Sequence, residues 1–176
     1  MPIQVDAYLT GGIATGTFAR AGQVREFLET NSELPLAGAT WQALDGISPG
    51  PAGDVSVASD DCLIVVSDDD PFIAAHAQWH SITLDVGPYS VSGDLPTLPG
   101  FDPGRALTRP SGEFVMLRDV RLGLLAVPET TIECPHALVN RYGVDRVTAD
   151  LMLGFFFPGA AMEDPPGAPA TPITTA

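Results

Sequence analysis

The chain has 176 residues, with 22 acidic and 8 basic side chains and a formal net charge of -14. This length suits one compact domain or two small ones, and an apolar content of 45% is enough for a buried core. The negative charge repels phosphate backbones and anionic lipids, so we expect neither nucleic acid nor a membrane as a partner. All eight basic residues are Arg, which excludes chemistry that needs a lysine amine, such as Schiff-base catalysis or a Walker-type phosphate site.

No targeting or membrane-spanning segment is visible. The first residues lack the basic and apolar regions of a signal peptide, and no apolar run approaches the about 18 residues of a membrane span. We therefore expect a cytoplasmic protein. Cys62 and Cys134 could form at most one bridge, and we expect both to be reduced, structural thiols.

Comparison of the chain with itself indicates an internal repeat. Residues 5–18 align with residues 82–95, and each stretch reads as a strand, a tight turn and a second strand. In the second strand of each copy a glycine, Gly16 or Gly93, stands two residues before an apolar side chain. Such a glycine is typical of a strand that bends or carries a bulge.

A short helix and two more strands follow in each copy. The helices are predicted over 24–29, with Asn31 as the stop, and over 102–107, with Asp102 as the N-cap. The predicted strands cover 33–41 and 113–122, then 63–66 after a Pro/Gly-rich loop and 138–147 after Pro128 to Pro135. The second copy continues into an apolar stretch, 147–157, that predicts a central strand.

The prediction for the fold is therefore a mainly β protein. It consists of two tandem, diverged units, each a small β-barrel or curved sheet with one short helix. The first unit covers 1–70 and the second 71–162, while the Pro/Ala/Thr-rich composition of 163–176 predicts a disordered tail.

The order of strand, turn, glycine-bent strand, short helix and apolar strand, with Phe114–Val120 as the last, resembles a recurrent bacterial family of unknown function. The resemblance covers roughly residues 3 to 157 and implies no catalytic residues. That family usually ends its unit with a Leu-x-Asp-Ala-like strand, whereas the first copy here has Leu36–Ala39 without the Asp. The unit is also similar to Sm-like small barrels, which form rings on RNA, although the basic residues that bind RNA are missing.

Two groups of residues are weak candidates for a metal site. His76 and His80 have the spacing that places two imidazoles on one helix face, but the following alternation favours a strand, which separates them by about 13 Å. Cys134 and His136 could add ligands. The run Asp68, Asp69 and Asp70 offers oxygen ligands for Ca²⁺ or Mg²⁺, although a solvated turn before Pro71 is the ordinary explanation. No cofactor is predicted.

Candidate interaction residues lie near the carboxyl end of the second copy. Arg with Tyr is typical of interaction hot spots, and consecutive aromatic side chains can anchor a partner. The alternative is that the arginines pair with neighbouring carboxylates and that the aromatic residues are buried. The candidates are Asn140, Arg141, Tyr142, Arg146, Phe155, Phe156 and Phe157.

The absence of a nucleophile motif favours a non-enzymatic binding or assembly module that acts as an adaptor, a scaffold or a self-associating subunit. The partner would be another protein or a second copy of the chain, because an uncovered strand edge recruits another strand. The alternative is a small-molecule or cation-dependent enzyme or sensor with a site between the repeats.

Overall fold

The structure is a computed structural model that describes residues 1–46, 48–71, 73, 75–97, 112–151, 153 and 156–167. The predicted second helix at 102–107 lies outside the described residues. In chain order the elements are β1 (Ile3–Leu9), β2 (Gly12–Phe18), α1 (Val24–Thr30), β3 (Glu33–Ala43), β4 (Gly50–Ala58), β5 (Ile64–Ser67), β6 (Gln78–Val86), β7 (Tyr89–Thr97), β8 (Phe114–Leu124), β9 (Val127–Asn140), β10 (Val144–Thr148) and β11 (Ala161–Glu163).

The strands form a single sheet, and the fold is mainly β as predicted. Within the described residues, eleven strands follow the order β11-β10-β6-β7-β8-β9-β5-β1-β2-β3-β4. The sheet is open, with β11 and β4 at its ends, so the barrel form of the prediction is replaced by a continuous sheet. The first half of the chain contributes β5-β1-β2-β3-β4 and the second half contributes β10-β6-β7-β8-β9.

Local sequence patterns account for the hairpins and their bends. The alternation of buried and partly buried residues along β2 is that of a strand with one face in the core. The pairing of β2 with β3 shifts register at Gly16, and the pairing of β7 with β8 shifts at Gly93. The prediction at both glycines was a bend or a bulge, and the register shifts confirm an irregularity at both positions.

Helix α1 also agrees with the prediction. It buries Val24 and Leu28 against the sheet, and Asn31 is its C-cap residue. The Asn31 side-chain amide and the Asn31 backbone N–H both donate to the carbonyl of Phe27, at 2.9 and 3.0 Å, which closes the last turn of the helix.

Two predicted strands near the end of the chain are wrong in extent. The stretch 138–147 is divided by a 3-10 turn at Arg141–Gly143, so that its parts belong to β9 and β10. The expected strand over 147–157 ends at Thr148, and none of the described residues from 149 to 160 lies in a strand. Apolar residues of this loop pack into the core. A run of buried apolar residues in a loop has the same sequence pattern as a buried strand, so the sequence does not distinguish the two.

The prediction places loops where the structure has two proline-containing segments of strand, β4 and the part of β9 before Leu138. Pro51 lies in β4, and Pro128 and Pro135 lie in β9. Proline is tolerated where one side of a strand has no partner. β4 is the last strand of the sheet, and β9 pairs with β5 only at Leu138 and Val139, so both strands meet that condition.

The core consists of two clusters of buried residues, and each cluster contains residues from both halves of the chain. Tyr8 and Ile64 of the first half belong to the cluster of the second half. Conversely, Phe114, Met116 and Leu138 of the second half belong to the cluster of the first. The boundary expected at residue 70 falls between β5 and β6, but the packing crosses it.

The end of the described chain differs from the predicted tail. Glu163, the first residue of that tail, lies in β11, and residues 168–176 lie outside the described part. None of the described helices has the length and apolar character needed to cross a lipid bilayer.

Candidate functional site

The acidic turn after β5 anchors β1 and the start of α1. Asp68 Oδ1 accepts the backbone N–H of Gln4 at 2.7 Å, and Asp69 Oδ2 accepts that of Val24 at 2.9 Å. The Gln23 side-chain amide donates to the carbonyl of Asp70 at 3.0 Å. Asp69 therefore satisfies one of the free N–H groups of the helix start, and it is the residue of this run that reaches a cavity.

Asp69 forms a buried pair with His136 of β9. Asp69 Oδ1 lies 3.8 Å from His136 Nε2, and the two side chains are 12% and 11% exposed. Ser67 Oγ donates to the same Oδ1 at 2.5 Å. Burial raises the pKa of Asp69, but His136 and the hydrogen bonds from Ser67 and Val24 outweigh burial and lower the pKa to about 2. Asp69 is thus ionised at neutral pH.

The pair lines a cavity of about 470 Å³ between the two halves of the chain. Helix α1 and the end of β5 contribute one side, and β8 and β9 contribute the other. Arg25 Nη2 donates to the carbonyl of Phe114 at 3.2 Å, and Glu29 accepts the backbone N–H groups of Glu113 and Phe114 at 2.8 and 3.1 Å. The ionisable lining residues are Arg25, Glu26, Glu29, Asp69 and His136.

The hydroxyl of Ser67 and the imidazole of His136 both line the cavity, but they do not form a nucleophile–base pair. Ser67 donates to Asp69 rather than to His136, so the imidazole does not activate the hydroxyl. Burial raises the pKa of Cys62 to about 12 and that of Cys134 to about 11, and both thiols are free. Burial therefore favours the protonated form of both thiols at neutral pH.

The histidine candidates do not assemble a metal centre in the described part of the chain. His80 lies in β6, as the strand interpretation predicted, and its Nε2 is 2.9 Å from Thr97 Oγ1. His76 precedes the strand and is exposed. Among the described residues there is no group of three or more His, Cys, Asp or Glu side chains placed to hold a metal ion.

Asn140 and Arg141 stabilise the turn between β9 and β10. The Asn140 side chain accepts the N–H of Tyr142 at 3.0 Å. Arg141 is 3% exposed, and its guanidinium donates to the carbonyls of Phe156 and Gly112 at 2.7 and 2.5 Å. Tyr142, in contrast, is 62% exposed. Of these three interaction candidates, only Tyr142 offers its side chain to a partner.

The remaining interaction candidates are partly internal. Arg146 pairs with Asp85 at 3.5 Å and with Glu163 at 3.2 Å, as the alternative interpretation expected. Phe156 is 8% exposed and Phe157 has no exposed surface, so both belong to the core. Phe155 lies outside the described residues. The buried side chains would need a rearrangement before they could anchor a partner.

The two ends of the sheet form a second candidate site. No described residue pairs with the outer side of β4, which leaves its backbone N–H and C=O groups open. At the other end β10 is covered by β11, a strand of three residues that runs parallel to it. One edge is therefore free and the other is covered by a very short strand.

Comparison with family models, curated proteins and solved structures found no match for this chain.

Sequence reasoning missed how the cavity is assembled. It singled out Asp69 and His136 separately, but nothing in the sequence indicated that they pair. It did not single out Arg25 or Glu29, whose partners are backbone groups of β8. A Glu in a short helix is usually a solvated carboxylate, so the sequence gave no signal for Glu29.

Proposed function

We propose that this protein is a non-enzymatic assembly module built from two diverged copies of one β unit. The supporting observation for the repeat is the strand order, because β5-β1-β2-β3-β4 has the same connectivity as β10-β6-β7-β8-β9. Each half begins with a hairpin whose second strand has a bulge at a glycine. In each half a 3-10 turn joins the last two strands.

The open edge of β4 carries the assembly proposal. An exposed strand edge offers main-chain hydrogen bonds to an added strand, and the affinity then depends little on a specific side-chain chemistry. The two halves of this chain already associate in this way, because β9 pairs with β5. The function follows from a surface that binds strands and not from a reactive group.

The molar mass in solution tests this function. Size-exclusion chromatography with light scattering is run on untagged protein over a series of concentrations, with and without EDTA. We expect a mass that rises above 18.4 kDa with concentration and does not change with EDTA. A mass of one chain throughout the series would contradict self-assembly.

A second candidate function is a small-molecule or cation-dependent enzyme or sensor that uses the cavity between the halves. The observation that favours it is His136 Nε2, which is buried and has no hydrogen-bond partner among the described residues. Thermal unfolding with Zn²⁺, with Ca²⁺ and with EDTA tests this candidate. A shift in Tm for the wild type that is lost in His136→Gln would support it, and equal Tm values in all three conditions would remove the cation form.

A further inference from the structure

The junction between the two halves shows how one unit of this fold binds the next. β9 is the last strand of its half in the sheet order and β5 is the first strand of the other half. They pair antiparallel, with Val139 opposite Ile64 and Leu138 opposite Val65. The N–H of Asn140, the last residue of β9, donates to the carbonyl of Leu63 at 2.9 Å.

The same two kinds of edge occur again at the ends of the sheet. In the strand order, β4 has the same position in the first half as β9 in the second half. Likewise, β10 has the same position in the second half as β5 in the first half. β4 is open, whereas β10 is covered by β11 on the side where β5 receives β9. A single chain therefore carries both kinds of junction strand at its two ends, β4 without a partner strand among the described residues and β10 covered by β11.

We propose that copies of this chain associate head to tail, with β4 of one copy pairing with β10 of the next, and that β11 competes for the same edge. This inference rests on the proposed assembly function and specifies its partner and its regulation. Because the contact joins two different surfaces, repetition gives a closed ring or an open filament.

The backbone at the end of β4 is already arranged for this contact. Ala58 has φ -60° and ψ 130°, close to φ -67° and ψ 116° at Asn140. The next N–H in each strand bonds inward, from Ser59 to the carbonyl of Ser32 and from Arg141 to that of Glu113. Successive N–H groups of a strand point to opposite sides, so the N–H of Ala58 points outward, as that of Asn140 does.

The side chains predict a weaker contact than the internal junction. Transfer of the β9–β5 register places Val57 of one copy opposite Arg146 of the next, and Ser56 opposite Val147. At the internal junction the corresponding residues of β9 are Val139 and Leu138, which are buried and apolar. Polar residues at the outer edges limit uncontrolled strand addition, so we expect reversible association.

β11 has the features of a displaceable strand. Its three residues pair in parallel with Arg146, Val147 and Thr148. Two described contacts hold its end: the Ala149 N–H donates to the Glu163 carbonyl at 3.2 Å, and the Glu163 carboxylate lies 3.2 Å from Arg146 Nη1. Release of so short a strand exposes the β10 edge and gives up the core contacts of one partly buried side chain, Met162.

The variant Ala58→Pro tests the donor edge. Proline fits the φ of -60° at this residue and removes only the outward N–H, so the fold is kept. We expect association to weaken by about tenfold or more, because an acceptor on the next copy is left unpaired in the contact. Ala58→Ser, which keeps the N–H, is the matched control and should associate as the wild type does. Unchanged association of a folded Ala58→Pro protein would overturn the proposal.

The variant Glu163→Pro tests the competing strand in the full-length chain. The substitution removes the ion pair between Glu163 and Arg146. It also removes the backbone N–H of Glu163, which points to the same side of β11 as the Glu163 carbonyl. We expect association to become about tenfold tighter, because a larger fraction of molecules has a free β10 edge. Asp164→Pro, just outside β11, is the control and should leave the affinity unchanged. Equal affinity of Glu163→Pro and wild type would refute the role of β11.

The double variant Ala58→Pro/Glu163→Pro separates this inference from the broader function. If the double variant lacks the tighter association of Glu163→Pro, the result supports pairing of β4 with β10. If the wild type associates but none of these variants changes its mass distribution, the assembly function stands and the head-to-tail interface is wrong. If no form associates at any concentration, both proposals fail.

Discussion

Asp69 illustrates how one carboxylate connects the two halves of the protein. It binds the first N–H of helix α1, accepts the hydroxyl of Ser67 and lies beside His136 of β9. These contacts favour its charged form more than burial opposes it, which lowers its pKa to about 2. The ionised state of Asp69 therefore contributes to the stability of the cavity region.

This shift predicts a loss of stability in acid. A carboxyl group whose pKa is lower in the folded than in the unfolded protein stabilises the fold above the unfolded pKa, near 3.8. We expect that contribution, about 1–2 kcal/mol, to decline as the pH falls from about 4 to about 2. Urea unfolding at pH 6, 4 and 2.5 measures it.

Comparison of two amide variants isolates the contribution of Asp69. Asp69→Asn should have a lower free energy of unfolding than wild type at pH 6, with a difference that shrinks towards pH 2.5. Asp68→Asn leaves the Asp69 carboxylate in place, so its free energy of unfolding should still fall in acid as that of the wild type does. A difference between Asp69→Asn and wild type that stays constant with pH would be inconsistent with this account.

At the scale of the elements, the glycine bulges decide how neighbouring strands fit together. A Cβ added at Gly93 would lie 2.9 Å from the carbonyl oxygen of Arg118 and 3.2 Å from a methyl group of Val120. The contact is with the backbone of β8, which cannot move away as a surface side chain can. The bulge therefore requires the absence of a side chain at this position.

The variant Gly93→Ala should accordingly destabilise the fold. We expect a cost of about 1–3 kcal/mol, because the pairing of β7 and β8 must shift to relieve the contact. Gly50→Ala is the matched control: a Cβ there meets no atom within 4 Å, so its effect should stay within about 0.5 kcal/mol. Thermal unfolding followed by circular dichroism compares the two, and equal Tm values would show that β7 and β8 accommodate the methyl group.

At the scale of the whole molecule, the continuous sheet and the exchanged core residues predict a single folding unit. The Tyr89 hydroxyl lies 2.7 Å from the carbonyl of Leu9 in the other half, and the rings of Tyr8 and Tyr89 pack edge to face at 5.3 Å. Unfolding of one half would expose core residues of the other. The halves should therefore lose their structure together.

One cooperative transition is the measurable consequence. Denaturant unfolding followed by far-ultraviolet circular dichroism and by fluorescence should give coincident midpoints. Trp41 lies in β3 of the first half and Trp79 in β6 of the second, so Trp41→Phe and Trp79→Phe each leave one fluorophore, in a different half of the chain. Two separated midpoints for these single-Trp proteins would instead show that the halves fold as independent domains.

The sequence by itself determined the features that depend on local chemistry. The hairpins of β1–β2 and β6–β7, the bulges at Gly16 and Gly93 and the helix that ends at Asn31 were all predicted correctly. Each follows from alternation, from the sterics of a glycine or from a cap, which act over a few residues. The mainly β class follows from the same local signals.

Only the tertiary structure decided how these pieces are joined. All strand edges offer the same N–H and C=O groups, so the sequence does not show that β9 pairs with β5 or that β11 covers β10. The prolines of β4 and β9 predicted loops. The sheet order shows that each of these strands has a side without a partner strand, where proline is tolerated. The pairing of Asp69 with His136 and the burial of Phe156 and Phe157 likewise depend on contacts between residues far apart in the chain, which no local pattern encodes.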